Sequence, residues 1–125
     1  MQNYNSKFKD IIRNRTYKYA LEVIRLIEKL PKDATCNVIS RQLLRSATSV
    51  GANIVEAQAA SSRRDFANFM NHSLKSANES KFWLALLRDS KKLENNDIQY
   101  VFQETCEICK ILAASLLTIR GKRKF

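Results

Sequence analysis

Apolar residues recur along most of the chain at intervals of three and four positions, the spacing that places side chains on one face of an α-helix. The first such segment begins at about Lys7 or Arg15 and ends at Leu30, because Pro31 cannot continue a helix. Its apolar stripe consists of Ala20, Val23, Ile24, Ile27 and Leu30. This pattern predicts an amphipathic helix with one buried face.

Two further segments have the same period. The second runs from about Ala34 to Ala60, and the third follows it to about Lys92. Ser61 or Ser62 is placed to cap the third, with Asp65 at capping-box distance from Ser62. The apolar stripe of the second is Ile39, Leu43, Ala47, Val50, Ile54 and Ala57, and that of the third is Phe66, Phe69, Met70, Leu74, Ala77, Leu84 and Leu87.

A fourth segment begins near Asn95 or Asn96, either of which can cap a helix, and Gly121 is placed to end it. Its predicted inward positions are Ile98, Val101, Phe102, Thr105, Ile108, Leu112, Leu116 and Ile119. The connections between the predicted helices are short, so consecutive helices should be antiparallel neighbours. The sequence therefore predicts an all-α fold, an antiparallel up-down-up-down four-helix bundle.

Length and composition agree with this fold. The 125 residues fit one domain, which we take as residues 1–125 with short basic extensions at 1–14 and 120–125. The chain has two glycines and one proline, whereas an all-β fold needs many turns. Hydrophobic residues make up 45% and charged residues 27%, a balance typical of folded globular proteins.

The sequence shows neither a membrane span nor a secretory signal. No apolar run reaches the roughly 18 residues that a membrane-spanning helix needs. The amino terminus, MQNYNSKFKD, is polar. Three cysteines, an odd number, do not suggest a disulfide framework. We therefore expect a cytoplasmic protein without a membrane partner.

Charge is the unusual property of the composition. Lys and Arg number 22 against 12 Asp and Glu, which gives a formal net charge of +10. An excess of this size favours a polyanionic partner, such as RNA or DNA, or an acidic membrane surface or protein. The same excess of charge is also explained by solubility alone, without a partner. The position of the charges in the fold therefore decides between a binding role and solubility.

The predicted topology brings the amino terminus, the turn between the second and third helices, and the carboxyl terminus to one end of the bundle. Half of the 22 basic residues fall there, whereas the opposite end is balanced in charge. We expect backbone-driven, salt-sensitive and sequence-independent contact with nucleic acid at this end. The candidate binding residues are Arg13, Arg15, Lys18, Arg63, Arg64, Arg120, Lys122, Arg123 and Lys124.

Five aromatic residues near the same predicted end have two interpretations. They stack on unpaired bases, or they close the core or an interface. They are Tyr4, Phe8, Tyr17, Tyr19 and Phe125. No segment resembles a helix-turn-helix or an RNA-binding sheet, so no base-reading element is predicted.

The segment RSATSVGANIVEA interrupts its apolar stripe with Gly51, Asn53 and Glu56. A glycine inside a helix costs about 1 kcal/mol relative to alanine. The expected reason for Gly51 is therefore the close approach of another helix or of a second subunit. Small residues of the third helix lie across the hairpin and fit such an approach: Ser73, Ser76, Ala77 and Ser80.

The same region contains charged residues in a packed setting. When the second and third helices are placed antiparallel on either side of their turn, Glu79 is the carboxylate nearest to Arg45. We predict an Arg45–Glu79 ion pair, and a contact from Glu56 to Asn53 or to the turn at residues 62–64. Buried charge pairs penalise mispairing more than they stabilise. Their expected role is to fix helix register or subunit pairing.

Neither a metal nor a cofactor is predicted. Cys106 and Cys109 form a CxxC motif, but a zinc site needs two more ligands, and Cys36 and His72 belong to other levels of the bundle. We expect buried thiols that pack as small apolar groups, and a histidine at the surface or an interface. Trp83 is expected to anchor the core or a subunit interface.

Catalytic motifs are absent from the sequence: there is no Gly-rich phosphate loop, nucleophile elbow or HExxH. Glu56 and Glu79, the best carboxylate pair for acid–base chemistry, should lie several turns apart along the bundle, too far to share a water. We therefore expect a protein that is not an enzyme.

The run RSATSVGANIVEAQAASSRRDF, followed by SANESKFWLALL, resembles the bacterial four-helix-bundle family known for members encoded in intervening sequences of 23S rRNA genes. The similarity extends from about Arg15 to Ile119. It implies small up-and-down bundles that assemble into homopentameric rings, without an established enzymatic activity. A related group, the accessory proteins of diversity-generating retroelements, implies basic pentameric barrels that bind nucleic acid and partner a reverse transcriptase.

Two interpretations of function follow. The first is a homo-oligomer, pentameric by resemblance, that associates with RNA or DNA through its basic end. The alternative is a protein-interaction scaffold whose positive charge is incidental. In both, the structural or interface residues are Arg45, Gly51, Asn53, Glu56, Glu79 and Trp83.

Overall fold

The computed structural model describes residues 2–121, with side chains from residue 7 onward. These residues form four helices: α1 (Gln2–Glu28), α2 (Ala34–Gln58), α3 (Arg63–Asp89) and α4 (Asn95–Gly121). The prediction of four long helices is confirmed. Residues 2–14, which the sequence suggested as an extension, are part of α1 because Phe8 and Ile12 pack against the core.

Side-chain caps set the start of two helices. Asp33 precedes α2, and its Oδ1 accepts a hydrogen bond from the Cys36 amide at 2.8 Å. Ser62 precedes α3, and its Oγ accepts from the Asp65 amide at 3.1 Å. These caps satisfy amide groups that the first turn of a helix leaves without a partner. Of the two predicted caps for α3, Ser62 is therefore the correct one.

α3 ends at Asp89, earlier than the predicted Lys92. Lys91 adopts a positive φ of 58°. The Lys91 amide donates to the Arg88 carbonyl at 3.2 Å, and the Lys92 amide donates to the Leu87 carbonyl at 3.5 Å. These two bonds form a Schellman motif, which turns the chain out of the helix.

The predicted cap of α4 is wrong. The helix begins at Asn95, so Asn95 and Asn96 lie within its first turn rather than before it. Asp97 is the acidic residue of that turn, where a carboxylate interacts favourably with the helix dipole. α2 also ends slightly before the predicted Ala60, at Gln58.

Contacts between α2 and α3 run in opposite sequence directions. Ser46 Oγ lies 2.8 Å from Ser80 Oγ, and the Ser73 hydroxyl donates to the Val50 carbonyl at 2.8 Å. As the residue number rises in α2, it therefore falls in α3. The two helices are antiparallel, as predicted.

The same reversal relates α1 to α4, which closes the bundle. Arg15 Nε donates to Glu104 Oε2 at 2.8 Å, and Lys29 Nζ lies 3.5 Å from Asp97 Oδ1. Since α1 also packs on α2 and α3 on α4, each helix has two neighbours. The predicted up-down-up-down bundle is confirmed. None of the described helices is both long and apolar enough to cross a membrane.

The core lies along the bundle axis and follows the predicted stripes with one exception. Ile24 of α1 is 37% exposed, and Tyr19 and Leu26 are buried instead. The buried face of α1 therefore includes Tyr19, whose hydroxyl oxygen lies 2.8 Å from Thr105 Oγ1, and excludes Ile24. Fully buried core residues include Leu43, Val50, Ile54, Ala77, Leu84, Leu87, Ile98, Ile108 and Leu112.

Five buried positions are serine or threonine: Thr16, Ser46, Ser73, Ser80 and Thr105. Among the residues whose side chains are described, no buried nitrogen or oxygen lacks a hydrogen-bond partner. A buried polar group left without a partner is costly. The bonds that join two helices, such as Ser46 to Ser80 and Ser73 to the Val50 carbonyl, therefore help to set the register. Thr16 bonds only carbonyls of its own helix.

Candidate nucleic-acid interface

One end of the bundle is formed by the start of α1, the turn between α2 and α3, and the last turn of α4. We call it the basic end. Its described cationic residues are Lys7, Lys9, Arg13, Arg63, Arg64 and Arg120, all of them exposed. The predicted binding residues Lys122, Arg123 and Lys124 lie outside the described residues.

At the opposite end of the bundle, three of the five cations form ion pairs with neighbouring carboxylates, whereas Lys32 and Lys91 are exposed and form none with the described residues. A hydrogen bond from Arg88, for example, lowers the pKa of the Asp89 carboxyl. Its ion pairs are Lys29–Asp97 at 3.5 Å, Arg88–Asp89 at 2.9 Å and Lys92–Asp33 at 3.2 Å. At the basic end, Arg63, Arg64 and Arg120 form no ion pair with any carboxylate of residues 7–121. The two ends therefore differ in charge pairing as well as in charge count.

Arg13 of the basic end is held in place by its neighbours. Its Nη2 lies 2.8 Å from Asp10 Oδ1, and its Nη1 donates to Gln58 Oε1 at 3.2 Å. The Gln58 amide in turn donates to the Lys9 carbonyl at 2.7 Å. The Arg13 side chain nevertheless remains 46% exposed, so its charge faces solvent. These bonds fix the start of α1 against the end of α2.

The assignment of Arg15 to the basic end is wrong. Its guanidinium makes two hydrogen bonds of 2.8 Å to the two oxygens of Glu104, midway along α1 and α4. This carboxylate raises the pKa of Arg15 and neutralises its charge. Lys18 is also far from the end, because the adjacent Tyr19 contacts Thr105. The sequence misplaced both residues because α1 extends further toward the basic end than predicted.

An open groove of about 670 Å³ lies at the basic end, and all four helices contribute to it. Lys9 and Arg63 line it, and Lys9 Nζ lies 5.8 Å from the centroid of the Phe66 ring. Most of the lining is apolar: Phe8, Ala57, Phe66, Met70, Ile111 and Ile119. The sequence did not reveal this groove, because each helix contributes only a few residues to it. Within each helix, these residues follow the same apolar spacing as the residues of the core.

The aromatic residues predicted near the basic end separate into different environments. Tyr19 is fully buried, which rules out stacking on a base, and Tyr17 is 68% exposed. Phe8 is half-buried and lines the groove. Tyr4 and Phe125 lie outside the residues whose side chains are described. Phe66, which the sequence assigned to the core, is the second phenyl ring of the groove.

The predicted ion pair between Arg45 and Glu79 is present on the outer side of α2 and α3. Arg45 Nη2 also donates to Gln42 Oε1 at 3.0 Å, and Trp83 Nε1 donates to Glu79 Oε2 at 2.9 Å. The neighbouring Phe82 ring packs edge-on against Trp83, with centroids 5.0 Å apart. Trp83 is thus half-buried and hydrogen-bonded at the surface, and Glu79 is engaged by two donors.

Gly51 allows a close helix approach, but the partner is α1 rather than the predicted α3. A Cβ at this position would lie 3.3 Å from Thr16 Oγ1 and 3.5 Å from Thr16 Cβ. The predicted contact of Glu56 is wrong: its exposed carboxylate bonds neither Asn53 nor residues 62–64. Asn53 Nδ2 instead donates to the Ser49 carbonyl at 2.8 Å, within its own helix. The Glu56 carboxylate is exposed to water, so an additional hydrogen bond to the protein surface would stabilise the fold little.

The thiols and the histidine are dispersed. Cys36 and Cys109 are buried as predicted, burial raises the pKa of both thiols, and Cys106 is half-buried. Cys109 Sγ donates to Asn78 Oδ1 at 3.4 Å. His72 is exposed on α3. In the part of the chain that the structure describes, no three His, Cys, Asp or Glu residues could hold a metal ion.

The chain is similar to known proteins over most of its length. The sequence model of the 23S rRNA-intervening sequence protein family matches residues 9–114. A crystal structure of a protein of unknown function from the S23 ribosomal protein family of Bacteroides thetaiotaomicron shares 34% sequence identity, with a TM-score of 0.80. That match covers 86% of this chain and 96% of the other. No curated protein matches this chain.

Proposed function

The chain belongs to the 23S rRNA-intervening sequence protein family, and we propose that it is a non-enzymatic homo-oligomer that associates with nucleic acid through its basic end. The observation that carries this proposal is the difference in charge pairing between the two ends of the bundle. At one end three of the five cations form ion pairs, whereas at the other Arg63, Arg64 and Arg120 are exposed and form no ion pair with the carboxylates of residues 7–121.

Such a surface suits the phosphate backbone of RNA or DNA. Each cation that contacts a phosphate releases counterions, which makes the affinity strongly dependent on salt. Phosphate contacts position a nucleic acid without reading its sequence. No described element has the form of a base-reading helix or sheet, so we expect binding without sequence preference.

The test is a fluorescence-anisotropy titration with single-stranded RNA, single-stranded DNA and duplex at several salt concentrations. For single strands we expect the logarithm of the affinity to fall by about 0.7 per phosphate contact for each unit in the logarithm of salt. Absence of binding at low salt would contradict the proposal. It would leave the alternative function, a protein-interaction scaffold.

The outer face of α2 and α3 supports the homo-oligomer. Phe82 is 56% and Leu86 40% exposed, and both lie on the side of α3 that carries Glu79. Val38, 58% exposed, lies two turns before Arg45 on α2. Apolar residues around a charged pair are typical of an interface in which the pair selects the alignment. We assign this face to the contact between subunits, in a pentamer as the family resemblance implies.

Light scattering on Glu79→Gln tests this assignment. The substitution removes the charge that pairs with Arg45, so we expect a smaller assembly or a lower melting temperature than in the unmodified protein. Glu107→Gln is the matched control, because Glu107 forms only an exposed pair with Lys110 at 3.5 Å. An unchanged mass and melting temperature for Glu79→Gln would contradict the assignment.

A further inference from the structure

We propose that the groove at the basic end receives an unpaired base of a single-stranded nucleic acid, so that the protein prefers single strands to duplex. This inference rests on the proposed function, because it assigns the form of nucleic acid that the basic end binds. It concerns the apolar surface of the groove, which phosphate contacts alone leave unused.

The lining of the groove suits a flat aromatic ligand. Phe8 and Phe66 are half-buried there, and the aliphatic side chains of Met70, Ile111 and Ile119 complete the surface. Bases stack on aromatic side chains and gain affinity in a sequence-tolerant way, because every base has a π-face. A volume of about 670 Å³ is large enough for a whole base without rearrangement of the bundle.

The groove also contains cations, which complement the phosphate of a nucleotide whose base lies in the groove. Lys9 and Arg63 both line the groove and are exposed. A strand that places a base in the groove therefore brings its phosphates toward these two side chains. In a duplex the faces of the bases are covered by their stacked neighbours, so only the phosphates are available there.

Two hydroxyl side chains that line the groove are already engaged within the protein. The Ser115 hydroxyl donates to the Ile111 carbonyl at 2.9 Å, and the Thr118 hydroxyl donates to the Ala114 carbonyl at 3.1 Å. Neither hydroxyl proton is thus free to read the edge of a base, since recognition of an edge needs free donors and acceptors, and Lys9 and Arg63 are assigned to the phosphates. The groove accordingly accepts a base without selecting its identity.

An acidic peptide helix is the other ligand that an apolar groove with cations can take. The cations of this end continue past the groove, however, because Arg13, Arg64 and Arg120 are exposed there and do not line it. A nucleic-acid strand has charges that continue on both sides of an inserted base. The distribution of charge therefore favours nucleic acid.

The experiment compares three ligands at one salt concentration: a single strand, the same strand with abasic sites, and the duplex. The abasic strand keeps its phosphates and loses its rings. We expect it to bind about tenfold more weakly than the intact strand, in line with the loss of stacking. Its salt dependence should be unchanged, and the duplex should also bind more weakly than the intact strand.

A variant that fills the groove provides a second readout. Ala114 is exposed and lines the groove, so Ala114→Leu reduces the space for a base without changing the charge. We expect it to lower the affinity for the intact strand to that for the abasic strand. Ala52→Leu is the matched control, at an exposed position of α2 outside the groove, and should change neither affinity.

The outcomes separate this inference from the proposed function. Equal binding of intact and abasic strands would overturn the inference and leave phosphate binding intact. Equal effects of Ala114→Leu and Ala52→Leu would also overturn it. Binding of neither strand at low salt would overturn the proposed function itself.

Discussion

The hydroxyl oxygen of Tyr19 and Oγ1 of Thr105 lie 2.8 Å apart at the centre of the bundle, where both side chains are fully buried. The Thr105 hydroxyl also contacts the Val101 carbonyl at 2.7 Å, so its proton is directed there and Tyr19 donates to Thr105. This bond joins α1 to α4. An isolated hydroxyl would be costly at this position, so the bond holds the two helices at one level.

The first prediction concerns this bond. Thr105→Val keeps the shape of the side chain and removes the acceptor, so we expect the free energy of unfolding to fall by about 1–3 kcal/mol. Adding Tyr19→Phe should restore part of the loss, because the unpartnered hydroxyl disappears. Urea denaturation measures both effects. Thr118→Val, at an exposed position of α4, is the control; equal losses at residues 105 and 118 would contradict the account.

The second prediction concerns alkaline pH. Burial raises the pKa of Tyr19 from 10.0 to about 12, and hydrogen bonds with Thr105 and Ser80 oppose the shift. The folded state therefore favours the neutral phenol. This contribution to stability is complete below pH 10 and is lost as the pH rises toward 12, to a total of about 2–3 kcal/mol.

Denaturation with urea at a series of alkaline pH values tests this expectation. Tyr19→Phe should lose stability less steeply between pH 10 and 12 than the unmodified protein. Tyr17→Phe, at an exposed position, should keep the original pH dependence. Identical pH profiles for Tyr19→Phe and the unmodified protein would show that Tyr19 is not the group concerned.

The third prediction separates Arg15 from the cations of the basic end. Arg15→Gln breaks a bidentate, partly buried pair with Glu104 and should lower the free energy of unfolding by about 1–2 kcal/mol. Lys110→Gln, which removes only an exposed pair, should cost less than about 0.5 kcal/mol. The affinity of Arg15→Gln for nucleic acid should be unchanged. A loss of affinity beyond that of Lys110→Gln would return Arg15 to the binding surface.

The fourth prediction is a double-mutant cycle at the contact of α1 and α2. In the unmodified protein, Gly51→Ala places a methyl group 3.3 Å from Thr16 Oγ1, so crowding offsets the better helix propensity of alanine. In a Thr16→Ala background that oxygen is absent, and Gly51→Ala should stabilise by up to about 1 kcal/mol. Unfolding free energies should therefore show a coupling of up to about 1 kcal/mol. Equal effects of Gly51→Ala in both backgrounds would contradict this contact.

The sequence predicted what depends on local pattern. The spacing of apolar residues predicted the four helices, and the Ser62 cap predicted the start of α3. Antiparallel pairing of α2 and α3 predicted the Arg45–Glu79 pair, because the short turn between the two helices limits how they align. The partner of Gly51 could not be found in this way, since a helix has neighbours on both sides and periodicity does not say which one comes closer.

Longer-range relationships also required the structure. Arg15 was placed at the basic end because the level of α1 against α4 depends on where α1 begins, and the sequence left this open between Lys7 and Arg15. The Tyr19–Thr105 bond gave no sign in the sequence, because Tyr19 falls outside the predicted apolar stripe of α1 and was grouped with the aromatic residues near the basic end. The groove depends on how all four helices splay at one end, which no single segment encodes.

The most direct test of the central claim compares two variants that remove the same charge. Arg63→Gln, Arg64→Gln and Arg120→Gln together remove three cations of the basic end, whereas Arg25→Gln, Arg41→Gln and Lys75→Gln remove three exposed charges elsewhere. For single-stranded nucleic acid, the first variant should bind at least about tenfold more weakly, with a salt slope reduced by about 2. The second should keep nearly the original slope. Equal losses in the two variants would show that net charge, rather than the basic end, governs binding.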